Sequence, residues 1–296
     1  MLTLRSGESS VVLAPEIGGA IVGWTFGSVP LLRRPAPDAF ITGNVRGLAC
    51  FPLVPFSNRI AFGRFRWDGT EYLLDRNFGD HPHAIHGVGW QRAWTVAAVG
   101  SECATLTLRH DAAGEQARSW PFAFAAEQRF TLTPDALIVE LVVRNLHPSP
   151  APAGLGLHPY FPRDGAPTLR FNAAQVWLNG ANWLPSEPVP VPPAWDHSGG
   201  QPVGSASLDN CYASWDGVAH IVRASGSPRL CIEADGLFRH LIVYTPPGQD
   251  FFCVEPMSHM NDAINRMDSV AGHGIRILPP GGTLEGQISF ALATAG

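Results

Sequence analysis

Thirty-one glycines and 27 prolines are spread along the whole 296-residue chain, and no other feature restricts its fold as much. Proline lacks a backbone N–H and glycine costs a helix interior most of its conformational entropy, so the segments between them are too short for ordinary helices. The connections are therefore turns. Between them lie β-type runs: Cys103–His110, Arg229–Ala234, Leu241–Tyr244, Phe251–Val254 and Leu284–Ala293. The runs Glu127–Thr133 and Ala136–Asn145 flank Pro134-Asp135 and read as a hairpin, with Leu137, Val139, Leu141 and Val143 on one face. Asn261–Arg266 alone looks briefly helical. The proline-rich stretch Asn182–Gly204 reads as a long surface loop between segments of strand character. No repeat of propeller or solenoid length is present. The expected fold is all-β, a large antiparallel β-sandwich, with residues 1–296 forming a single domain.

Composition restricts the partners. With 45% hydrophobic and only 15% charged residues the chain has the apolar mass for a core. Twenty Lys and Arg against 25 Asp and Glu give a net charge of −5, with the basic residues scattered, so no nucleic-acid footprint is visible and a small ligand fits better. The cysteines Cys50, Cys103, Cys211, Cys231 and Cys253 are odd in number and widely spaced, which disfavours a disulfide framework or a zinc cluster and points to a reducing compartment. MLTLRSGESS has no signal-peptide pattern, and no long apolar run suggests a membrane span. The expectation is a cytoplasmic protein, monomer or homodimer, with no cofactor and no metal.

On a sandwich, alternate side chains of several strands can converge on one open face, so polar groups set among apolar neighbours are the candidates for chemistry. In Phe51–Ile60, Asn58 and Arg59 follow an apolar stretch; Arg59 could hold hydroxyls or a carboxylate, although a turn with an exposed arginine is the plainer reading. In His81–Trp90, the spacing of His81 and His83 hints at a metal pair that Pro82 and the lack of a third ligand set argue against. His86 is either a satisfied core histidine or a site residue, and Trp90 or Trp94 beside it could offer an apolar platform to a sugar ring. His158, alone among the ionisable groups of GLGLHPYFP, is either a packed residue or a proton donor. Glu255 follows Phe, Cys and Val in a strand-like run, where a carboxylate without function or partner is rare. Asp209 could accept from ligand hydroxyls or simply cap a turn, and Asp216-Gly217 reads as turn chemistry.

Taken in order, Asn58-Arg59-Ile60 with Gly63-Arg64-Phe65 and Gly69, His86-Gly87 with Trp90, His158-Pro159-Tyr160-Phe161, Asp209 and Glu255-Pro256 resemble the aldose 1-epimerase (galactose mutarotase-like) family from about Gly18 to the C-terminus. The resemblance implies a β-supersandwich and the interconversion of α and β anomers of a free aldohexose by ring opening and reclosure. It makes Glu255 the general base and His158 the general acid, with His86 as a second histidine at the ring oxygen and Arg59, Asn58 and Asp209 as hydroxyl ligands. A small sugar is then the partner. Two proton carriers suffice for this reaction, with no nicotinamide, metal or phosphate. Burial is expected to raise the Glu255 pKa, and a neighbouring anion to raise that of His158.

Three rivals remain at this level. A hexose-6-phosphate 1-epimerase would share the chemistry and need a cationic pocket, which Arg59, Arg64 and Arg66 could supply. A non-catalytic carbohydrate-binding module could use Trp24, Trp90 and Trp94 as platforms. A glycosidase needs a second strand-borne carboxylate that is not evident.

Overall fold

The computed structural model describes residues 1–223 and 227–293, which fold as two large antiparallel sheets with three small two-stranded ones. The larger sheet has 11 strands and runs Leu2–Ser6, Ser9–Ala14, Ala20–Phe26, Cys50–Leu53, Gly156–Pro162, Phe251–Met257, His240–Tyr244, Asp209–Ala213, Gln175–Asn179, Pro185–Pro190, with Val29–Pro30 added beside Ala20–Phe26. Its neighbours are mostly distant in sequence. The smaller sheet has 9 strands, built around Cys103–His110, Phe124–Leu132, Ala136–Asn145, Thr283–Ala293 and Arg229–Ala234. The anticipated hairpin is present there, closed at Leu132↔Leu137.

Period-two alternation explains how the sheets meet. In Phe124–Leu132 every second side chain is buried, and in its partner Leu137, Val139, Leu141 and Val143 are all 1% exposed or less. These pack with Phe161, Phe252, Val254, Ile288 and Phe290 in one large core drawn from both sheets. Phe161 and Phe290 touch across the interface with ring centroids 6.4 Å apart.

The strands at the middle of the larger sheet are buried on both faces, which the alternation turns to use. In Gly156–Pro162, Leu157 and Phe161 point into the two-sheet core, whereas His158 and Tyr160 point the other way. In Phe251–Met257, Phe252 and Val254 enter the core and Phe251, Cys253, Glu255 and Met257 take the opposite face. A second, smaller apolar cluster, including Phe51, Trp90, Tyr160, Ile242 and Cys253, covers that face and frames a cleft.

Two expectations need correction. Asn182–Gly204 is not only loop: Pro185–Pro190 forms the edge strand of the larger sheet, with Val176↔Val189 and Trp177↔Pro188 in register. An edge strand tolerates prolines because its outward N–H positions have no partner to lose. The helical segment at Asn261–Arg266 shrinks to a single 3-10 turn, Ala263–Asn265. The five cysteines are all free thiols, and none of the described helices is long and apolar enough to cross a membrane.

Candidate active site

His158 and Glu255 stand on adjacent antiparallel strands. The register on either side, Gly156↔Met257 and Tyr160↔Cys253, sets them directly opposite each other. Pro159 and Pro256 follow them in sequence and carry no N–H, and the recorded ladder is interrupted between those two pairs. Across this interruption His158 Nε2 lies 3.4 Å from Glu255 Oε1. Both side chains are buried, and neither His158 Nδ1 nor Glu255 Oε2 has a hydrogen-bond partner.

Burial governs their protonation. Desolvation, with Asp209 as a further contribution, holds the Glu255 carboxyl well above the ordinary carboxylate range. The His158 imidazole is pushed down to about 3, first by desolvation and then by the nearby Arg33 guanidinium. The expected rise of His158 is therefore reversed, because desolvation and the Arg33 charge both disfavour the imidazolium. Both shifts favour the uncharged forms, a protonated carboxyl beside a neutral imidazole. The carboxylate–imidazolium form contains the same proton count and differs only by its transfer between the two residues.

The turn carrying His86 is built from strained backbone. Asn58 and His86 both have positive φ (53° and 64°), and Gly87 must be glycine because a Cβ there would lie 2.3 Å from the Val54 carbonyl oxygen. Two reciprocal bonds zip the segments together: the Asn58 N–H donates to His86 Nδ1 at 3.0 Å and the His86 N–H donates to the Asn58 carbonyl at 2.9 Å. With Nδ1 occupied as an acceptor, the neutral ring carries its proton on Nε2. Burial pushes the His86 pKa well below its ordinary value, in keeping with the acceptor role of Nδ1.

Arg59 completes this wall. Its Nη2 donates to Asp209 Oδ2 at 2.8 Å and its Nη1 to Asn58 Oδ1 at 3.2 Å. Asp209, at the start of strand Asp209–Ala213, reaches the cleft from the far side of the sheet order. Glu255, His158, His86, Arg59, Asn58 and Asp209 thus line one cleft of about 680 Å³, a size suited to a small ligand.

Trp90 does not line that cleft. It is 4% exposed, stacks on Phe51 at 5.6 Å, and donates Nε1 to the carbonyls of Ile85 and Gly87, each at 3.2 Å, supporting the His86 turn from behind. Trp24 and Trp94 are also buried, so none of these tryptophans offers a platform. The exposed aromatic at the cleft is Trp183, 56% exposed, on a turn where both Asn182 and Trp183 have positive φ. His83 ties this turn down: its Nδ1 accepts from the Phe62 N–H at 2.9 Å, which leaves Nε2–H to donate to the Asn182 carbonyl at 2.8 Å. With both nitrogens so used, His83 is not free to hold a metal. His81 stands at the cleft wall, with Nδ1 buried and unpartnered.

Ligand-type atoms of His158, Cys253 and Glu255 do lie within 4.8 Å of one another. Burial holds the Cys253 thiol well above its ordinary pKa, and a thiol must ionise to become a good metal ligand. The donor set fits proton transfer better than metal binding.

A model of the aldose 1-epimerase family matches residues 1–291. The chain belongs to the aldose 1-epimerase family. Among its relatives, the uncharacterized protein YphB of Escherichia coli K12 is 31% identical over 296 residues, covering 97% of each chain. A crystal structure from the same organism, described as that of a candidate aldose 1-epimerase, has 29% identity and a TM-score of 0.88 over 98% of both chains. A galactose mutarotase-like protein from Clostridium acetobutylicum reaches a TM-score of 0.89 at 18% identity over 99% of this chain and 95% of its own, which is a likeness of fold.

In this aldose 1-epimerase family member the cleft also draws on Arg33, Arg46, Tyr160, Trp183 and Tyr244, which sequence reasoning missed. Tyr160 was within reach, since it lies two residues from His158 and so on the same strand face. Arg33, Arg46 and Trp183 come from irregular segments, where no periodicity signals direction. Arg64 and Arg66, suggested above as phosphate ligands, are instead exposed on a small hairpin, Arg64 bonded to Glu71 and Arg66 to the Gly69 carbonyl.

Proposed function

We propose that this protein is an aldose 1-epimerase that interconverts the α and β anomers of an aldose by acid–base ring opening and reclosure. The observation that carries this reading is the buried pair His158 Nε2 and Glu255 Oε1, 3.4 Å apart in a cleft also lined by Arg59, Asn58 and Asp209.

The anomeric hydroxyl oxygen and the ring oxygen are both bonded to C1, so a base and an acid that serve them must be close neighbours. Passing the shared proton from Glu255 to His158 readies the pair. Glu255 then takes the proton from the anomeric hydroxyl while His158 gives one to the ring oxygen, the C1–ring oxygen bond breaks, and an open-chain aldehyde results. Rotation about C1–C2 presents the other face of the carbonyl. Reclosure returns a proton from Glu255 to the new anomeric hydroxyl and one from the ring-forming hydroxyl to His158. The pair ends with the proton count it began with, and no electrons leave the sugar.

His86 offers its neutral Nε2–H as a donor to the ring oxygen region, steadying charge that grows as the bond breaks. Arg59, Asn58 and Asp209 hold ring hydroxyls, with the Arg59–Asp209 ion pair giving both a donor and an acceptor edge. Polarimetry of freshly dissolved aldoses tests the reading: the wild type should speed the approach to equilibrium, and Glu255→Gln should remove about 10²–10⁴ of that acceleration. A protein that binds sugar but leaves the polarimetric rate at the buffer value would be a binding module instead.

A further inference from the structure

The cleft is charged out of proportion to the protein around it. The chain has a net charge of −5, yet Arg33, Arg46 and Arg59 all line this one hollow. Arg59 is ion-paired with Asp209 at 2.8 Å, whereas among the described residues Arg33 and Arg46 have no carboxylate within ion-pair distance. Glu255, the other carboxyl on the wall, faces His158 at 3.4 Å and makes no ion pair with either arginine.

Both free cations are organised. The Arg33 guanidinium lies 3.7 Å from the Tyr160 ring centre and 4.6 Å from that of Phe251. Its Nη2 donates to the carbonyls of Arg46 and Leu48, and its Nε is buried with no partner. The Arg46 guanidinium sits 4.3 Å from the Phe78 ring centre. Stacking on an aromatic face leaves a guanidinium's in-plane N–H groups available: Arg33 retains Nη1, and the Arg46 fork, which makes no side-chain hydrogen bond among the described residues, suits a planar or tetrahedral oxyanion. Asn44, Arg46 and Phe78 also border an adjoining hollow of about 380 Å³, so there is room at Arg46 for a group beyond the sugar ring.

We propose that the aldose handled here carries an anionic substituent, a phosphate or a carboxylate, which Arg33 and Arg46 receive. This inference rests on the reading of His158 and Glu255 as the anomeric acid and base. The substituent belongs on a carbon other than C1, because ring opening requires an anomeric oxygen that still bears its proton. Tyr160 stacks on His158 at 4.6 Å and packs against the Arg33 guanidinium at 3.7 Å, which sets the cationic end one aromatic ring away from the reacting end.

The test compares glucose and galactose with their 6-phosphates and with glucuronate, by polarimetry or NMR exchange, in the wild type, Arg46→Gln and Arg46→Lys. An anionic aldose should exceed its neutral parent in kcat/KM, and Arg46→Gln should cut that preference by about 10- to 100-fold, the effect of one charge-assisted hydrogen bond, with Arg46→Lys restoring part of it. Neutral sugars handled as well as or better than anionic ones, or an equal loss for both in Arg46→Gln, would overturn the inference and leave the epimerase reading standing. Calorimetric titration of glucose 6-phosphate separates the two claims further. Arg46-dependent binding without acceleration of any aldose would retain the anion site and overturn the epimerase reading, and no binding with no acceleration would overturn both.

Discussion

A carboxyl with one oxygen unpartnered and the other 3.4 Å from an imidazole ionises at a cost that the fold bears for the reaction. The sign of that cost can be followed with pH. Glu255 has a raised folded-state pKa, so its contribution to stability is full below the ordinary carboxylate pKa and is lost as pH rises through the folded value. His158 is lowered to about 3 from 6.5, so its contribution is present above 6.5 and is lost as pH falls toward 3. Glu255→Gln, which cannot ionise, should therefore melt higher than the wild type at alkaline pH, with the gap closing in acid, while activity collapses; a lower melting temperature at every pH would contradict this account. The same shifts set the rate profile. Activity needs the singly protonated pair, so the acid limb should lie near the lowered His158 value of about 3 rather than near 6.5, and the alkaline limb should follow the raised Glu255. An acid limb centred on 6.5 would mean an ordinary solvated histidine. The candidate residues themselves were legible because each is a polar group stranded among apolar neighbours. The direction of the His158 shift was not, since it depends first on burial and then on Arg33, both set by the fold.

Elements decide what faces the sugar. The turn bearing Asn182 and Trp183 is held in positive-φ backbone by the His83 bond to the Asn182 carbonyl, so Trp183 reaches the cleft as a fixed aromatic wall. Trp183→Ala should raise KM several-fold with a smaller effect on kcat, and His83→Ala should do the same at a distance by releasing the turn; kinetics of the two variants, with circular dichroism to establish that the sheets persist, check this. Equal losses of kcat with KM unchanged would remove Trp183 from substrate binding. Strand existence was readable from alternation at Phe124–Leu132 and Ala136–Asn145. The edge strand Pro185–Pro190 was not, because its prolines carry the signature of a loop and only an unpaired outer edge makes them compatible with pairing. The tryptophans misled for a related reason: Trp90 near His86 in sequence is behind it in space, donating to the backbone of the His86 turn.

At the scale of the whole molecule, the site exists because strands about a hundred residues apart are adjacent. Gly156–Pro162 pairs with Phe251–Met257 on one side and Cys50–Leu53 on the other, an order that no local pattern encodes. Local alternation identifies a β-sandwich; it does not say which strand lies beside which, and His158 opposite Glu255 follows from that order together with the register. Both sheets share the core around Phe161 and Phe290, so we expect the chain to unfold as one unit. Phe290→Ala should cost about 3–5 kcal/mol and lower a single melting transition for near- and far-ultraviolet signals alike. Two separated transitions would instead divide the chain into independent units.

The central claim is that one buried proton, shared between His158 and Glu255, opens and recloses a sugar ring. NMR exchange between the α and β anomers of an aldose at equilibrium measures it directly. The account predicts exchange faster than in buffer with the wild type, and a loss of about 10²–10⁴-fold of that acceleration in both Glu255→Gln and His158→Asn, each still folded. Exchange that is equally fast in the wild type and in the two variants would contradict it.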